Sequence, residues 1–183
     1  VKNAEEMKDL VLEVYRNHVF VKKLKKNKDK HFGGLTIAIE KAIEGTSLYI
    51  KKGYVKEGDS RRKKWDYAFY DKTTDELKMV IEAKSINEKS IGNNINNRFE
   101  EAVGVAVYNK CSYPQIKRGY LMVLDLNEDK KGLRFADRCK KSFDDLINNH
   151  DIYDAMCLLL PNFQDPEVTE YNFKQFFEKL GLL

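Results

Sequence analysis

The chain has 183 residues, 42% of them hydrophobic, which is long enough for one core and reads most simply as a single domain over 1–183. No apolar run is long enough to cross a bilayer and no signal-peptide pattern opens the sequence, so a membrane role is excluded and the cytoplasm is expected; a first residue of Val suggests a missing native start. The net charge of +4 is unevenly spread: residues 1–64 hold 17 Lys or Arg against 9 acids, whereas the rest hold 16 against 20, so the N-terminal third is the basic part.

Taken in chain order, Ala4 to Val19 has helical apolar spacing at Met7, Leu10, Val11 and Val14, and the lysine-rich stretch to Lys30 reads as a loop, together a basic helical and loop part over 1–34. Gly33 and Gly34 precede a short helix, Leu35 to Ile43, which Gly45 ends. Ser47 to Val55 is a strand. Trp65 to Asp71 alternates as a half-buried strand, Lys72 to Asp75 is turn-like, and Leu77 to Ser85 resumes strand character, which makes a hairpin. A helix is expected over Asn93 to Asn109, a strand over Gly119 to Asn127, a helix over Leu133 to Asn148, a strand over Ile152 to Leu160 and a closing helix over Thr169 to Leu180. The fold class is therefore α/β, a central mixed sheet flanked by helices.

With the hairpin turn centred near Thr73 and Thr74, facing residue numbers add to about 147, and Asp66 falls opposite Glu82 or one place away. Period two puts Lys84 on the face of Glu82 and points Ala83 the other way. Two carboxylates so close repel unless a cation lies between them. Mg²⁺ suits the pair, because it prefers hard oxygen ligands, takes one or two carboxylates and leaves its other positions to water and phosphate. A neighbouring lysine can orient a metal-bound water and offset charge in the transition state. Standing alone, the same triplet also reads as a solvated cross-strand charge pair.

The residues that follow narrow the choice. Glu82-Ala83-Lys84-Ser85 and then Ser90 to Gly104, which runs through Asn93, Asn94, Asn97, Arg98 and Glu101, resemble the corresponding stretch of the XhoI-type restriction endonucleases, a branch of the PD-(D/E)XK nucleases. Gly53-Tyr54 and Lys64-Trp65-Asp66 are similar to the segment leading into that family's Trp-Asp strand, and the likeness spans about 50–160. Extra charges between Tyr54 and Trp65, and the lack of a proline before Asp66, are departures from the pattern. The resemblance implies a restriction-endonuclease-like core in helix-strand-strand-strand-helix-strand order. It also implies Asp66, Glu82 and Lys84 as catalytic residues, the Ala83 carbonyl as an added metal ligand, and a glutamate on the first core helix facing the metal. Glu40 or Glu44 could take that last place, with Glu40 preferred.

Further contacts follow from charge and spacing. Arg61, Arg62 and Lys63, running into Lys64 and Asp66, suit DNA phosphates, as does the run from Lys22 to Lys28; a solvated lysine-rich face is the other reading. Asn94, Asn97 or Arg98, Glu101 and Gly104 recur at three or four residues and share a helix face. Arg98 can hold a phosphate, Asn94 and Asn97 can bond phosphates or base edges, and Glu101 can support Arg98 or the metal shell. An Asn93 cap followed by an ordinary Arg98–Glu101 pair explains each singly. Trp65 is expected in the core. Cys111, Cys139 and Cys157 cannot all pair and lack zinc spacing, so buried thiols are expected, and His18, His31 and His150 show no ligand spacing. The sum is a Mg²⁺-dependent endonuclease that cuts double-stranded DNA at a specific, palindromic site, works as a homodimer and leaves 5′-phosphates. A repair or recombination nuclease of the same superfamily and a non-catalytic DNA-binding protein are the alternatives.

Overall fold

Apolar strands alternate with amphipathic helices along the chain, and in the computed structural model they form a six-stranded sheet, β1 to β6 in sequence order, with helices on both faces. The structure describes residues 5–7, 9, 33–52, 65–86, 91–124, 130–160 and 170–183. Residues 5–7 and 9 are helical and Met7 is buried, as the apolar spacing predicts; the remainder of that stretch and the lysine-rich run to Lys30 lie outside the described residues.

Helix α1, Gly33–Ile43, takes in both glycines that the sequence places ahead of it. It stops where Thr46 bonds the carbonyl of Ile43 through both N–H (3.0 Å) and Oγ1 (2.7 Å), with Gly45 at φ 79° making the turn. Strands β1, Leu48–Lys52, β2, Tyr67–Asp71, and β3, Leu77–Ile86, run antiparallel. The β2–β3 turn is organised by Asp71, whose Oδ1 accepts the N–H groups of Thr73 (2.8 Å) and Thr74 (3.0 Å). Its facing numbers add to 148 at Tyr67↔Ile81 and Phe69↔Met79, one more than expected, because the register slips between Phe69 and Tyr70.

Two crossover units follow. Helix α2, Ile91–Ser112, joins β3 to β4, Lys117–Leu124, and helix α3, Lys130–Asn148, joins β4 to β5, Ala155–Leu159; both strand pairs are parallel. Because α2 opens at Ile91, Asn93 lies inside the helix instead of capping it.

The closing segment departs from the sequence reading. Glu170 and Tyr171 form strand β6, antiparallel to β5, before helix α4, Phe173–Leu180, begins. Asn172, left-handed at φ 60°, makes the corner between them, a conformation that asparagine tolerates better than most residues. The helix buries Phe173, Phe176, Phe177 and Leu180 and ends on Gly181, φ 77°. There the N–H groups of Gly181 and Leu182 bond the carbonyls of Glu178 and Phe177 in a Schellman arrangement.

The sheet divides the core. Leu35, Ile39, Tyr67, Phe69, Ile81, Ala83, Leu121 and Phe177 lie on the α1 and α4 side, whereas Ile95, Ala102, Tyr120, Met122, Phe143 and Met156 lie on the α2 and α3 side. Cys139 and Cys157 are buried and Cys111 is exposed, with no disulfide among them; burial pushes the Cys139 thiol up to about 12. His150 is exposed and 3.2 Å from Asp145.

Candidate active site

Alternation along β2 and β3 decides which side chains meet. Tyr67 and Phe69 pack toward α1, and Ala83 packs on the same side as Tyr67, which turns Glu82 and Lys84 toward α2. Trp65, 5% exposed, is anchored among Ala68, Tyr70, Val80 and Ile116 just ahead of Asp66. Asp66 is then held from the facing strand, its Oδ2 accepting the N–H of Ala83 at 2.9 Å. Continuing the β2–β3 register by one residue puts Asp66 across from Glu82.

Glu82 is only 3% exposed. Its Oε1 contacts the Lys84 ammonium, which also lies 3.8 Å from Glu101 Oε1, and Arg98 closes the row by donating to Glu101 Oε2 at 2.7 Å. Burial alone would lower the Lys84 pKa; Glu82, by charge and hydrogen bond, and then Asp66 and Glu101 outweigh it and hold the ammonium above its ordinary value. Glu82 and Glu101 thus flank one cation, with the charge of Asp66 added to theirs, and the polar stripe predicted on α2 meets β3 at Glu101.

Tyr120 and Tyr153 carry no local sequence signal that marks them for the site. Tyr120 is the register partner of Glu82 across β3 and β4, and its buried hydroxyl makes no hydrogen bond among the described residues. Burial raises it well above the usual tyrosine value, and the charges of Glu82 and Glu101 add to the effect. Tyr153, raised by the same causes, donates to the carbonyl of Ala102 at 2.8 Å and so ties α2 to the strap leading into β5. Parallel-strand register was the missing signal, since a 30-residue crossover hides it from local pattern.

Asn94 is half-buried and Asn97 exposed in the first turns of α2. Because β3, β4 and β5 are parallel, α2 and α3 both start at the carboxyl ends of the strands, the edge where open α/β sheets bind ligands. Glu40 and Glu44 are exposed and line an open groove of about 500 Å³ with Leu48, Tyr49 and Lys72. Burial pushes the Tyr67 hydroxyl up to about 12, against its hydrogen bond to Thr36 (2.9 Å), and the charges of Asp66 and Glu40 add to the rise. Arg61, Arg62 and Lys63 lie outside the described residues.

As a donor set, two hard carboxylates on facing strands fit a divalent cation that keeps its remaining positions for water and phosphate. No group of three or more His, Cys, Asp or Glu placed as metal ligands occurs among the described residues, so a closed structural metal cage is not built there.

A family model described as restriction endonuclease XhoI matches residues 26–157 of the chain. No curated protein and no solved structure matches.

Proposed function

The chain belongs to the XhoI restriction endonuclease family, and on that premise we propose that it is a Mg²⁺-dependent Type II enzyme. It cleaves double-stranded DNA at a specific palindromic site to give 5′-phosphate and 3′-hydroxyl ends, as a cytoplasmic homodimer. Asp66 and Glu82 hold the cation, with the Ala83 carbonyl as a further ligand and Glu40 as the helix glutamate facing it. Bound there, Mg²⁺ supplies Lewis-acid charge to the reacting phosphodiester. Lys84 orients the attacking water and offsets the charge that gathers on the phosphoryl oxygens. Glu101 positions Lys84 from the far side, and Arg98, Asn94 and Asn97 face the substrate backbone and bases; Arg61, Arg62 and Lys63 neutralise phosphates. In-line attack expels the 3′ oxygen.

The meeting of Asp66, Glu82 and Lys84 across the β2–β3 pair, with Glu82 contacting Lys84 and Asp66 bonded to the backbone between them, supports this reading most strongly. Plasmid digestion with Mg²⁺, followed by sequencing of the ends, tests it. Discrete fragments whose ends share one sequence and carry 5′-phosphates are expected. Cutting confined to branched or damaged duplexes would assign a repair role instead, and an intact plasmid with duplex binding preserved would leave a binding protein.

A further inference from the structure

Helix α3 carries its charges the wrong way round for an isolated helix. It opens on Lys130 and Lys131, places Arg134 and Arg138 in its first half, and gathers Asp144 and Asp145 near its end; there is no acid in the first turn and no base in the last. Helix dipoles favour the reverse, by about 0.3–1 kcal/mol per charge at exposed sites. Arg134, Arg138 and Lys141 are all exposed and lie within about 60° of one another around the axis, at 100° per residue, so they form one stripe roughly 10 Å long.

The stripe joins the active-site edge. Arg138 donates to Asn96 Oδ1 at 2.9 Å, and Phe135 stands 3.9 Å from where a Cβ on Gly92 would be, so the first turns of α3 lie against the first turns of α2. Both helices start at the carboxyl ends of the parallel strands, beyond Glu82 and Lys84. An anionic partner spread along this edge would offset the unfavourable end charges of α3, and a length of about 10 Å covers roughly three base-pair rises of a duplex strand.

We propose that Arg134, Arg138 and Lys141 form a phosphate-binding strip for duplex DNA flanking the cleaved bond, held in register with the active site by the Arg138–Asn96 bond. The proposal rests on the nuclease reading. It adds contacts on the acidic two-thirds of the chain, where overall charge gives no hint of them.

The test is binding of a 30-base-pair duplex of random sequence in Ca²⁺, titrated over salt, for the wild type and for a triple Arg134→Ala, Arg138→Ala, Lys141→Ala variant. The slope of log K against log salt should fall by about 0.9 for each lost contact, up to about 2.7 in all. A charge-preserving Arg134→Lys, Arg138→Lys, Lys141→Arg variant should restore it. The triple variant loses only exposed side chains and the exposed Arg138–Asn96 bond, so it should stay folded and melt within a few degrees of wild type. An unchanged slope in the triple variant, with wild type binding normally, overturns the strip and leaves the nuclease reading standing. Loss of slope in the charge-preserving variant, or a lowered melting temperature with unchanged slope, assigns the residues a structural role and overturns the strip too. Failure of wild type to bind the duplex at all overturns both.

Discussion

Lys84 is the side chain on which the site's electrostatics turn, because Glu82, Asp66 and Glu101 together hold its ammonium protonated despite burial. A lysine so held acts as a fixed cation and hydrogen-bond donor at neutral pH. Lys84→Ala should therefore lower the cleavage rate by roughly a hundred-fold or more while duplex affinity in Ca²⁺ changes little, as measured by single-turnover digestion and a binding titration. Equal losses in both would make it a simple phosphate contact. Arg98 offers a sharper contrast. Its pair with Glu101 is exposed and worth less than about 1 kcal/mol to folding, so Arg98→Ala should barely move the melting temperature. If the guanidinium holds two phosphate oxygens, the same change should depress cleavage strongly, and Lys should be a poor replacement. A lower melting point with normal cutting would leave only the helix pair.

At the level of elements, the β2–β3 hairpin sets the site and its turn depends on Asp71. The N–H groups of Thr74 and Thr73 hold the Asp71 carboxyl below its ordinary value. A depressed carboxyl stabilises fully above its unfolded pKa, about 4, and loses that contribution as pH falls through the lower folded value. Asp71→Ala should thus lower the melting temperature near pH 6, with the gap to wild type closing as the pH falls below about 4. A gap that stays constant with pH would assign the effect to something other than the carboxylate. On the far face, a Cβ at Gly119 would come within 2.9 Å of Leu180 and 3.0 Å of Phe176, so Gly119 is what lets α4 lie on β4. Gly119→Val should cost about 1–3 kcal/mol in denaturant unfolding by overpacking; a neutral result would mean that α4 shifts freely.

Alternation and turn chemistry made the hairpin, Asp66 within one place of Glu82, and buried Trp65 legible from local sequence alone. The one-residue register difference was not, because it comes from a bulge that no local pattern marks. Glu170 and Tyr171 fall within the helix that the sequence predicts because their strand character exists only through pairing with Leu158 and Leu159. Tyr120 was hidden for the same reason.

At the scale of the whole molecule, one sheet edge gathers the carboxyl end of β3 and the starts of α2 and α3. No helix among the described residues is long and apolar enough to cross a membrane. Cutting both strands of a palindrome with one such edge per chain calls for a two-fold pair, so sedimentation of the protein with cognate duplex should give two chains per duplex; a single chain that cuts both strands would contradict the homodimer. The most direct test of the account is the Mg²⁺-dependent cleavage of plasmid by Glu82→Gln beside wild type, with duplex binding of both measured in Ca²⁺. Glutamine keeps the shape and removes the charge, so the expected result is full binding with cleavage abolished. Wild-type cutting by Glu82→Gln would contradict it.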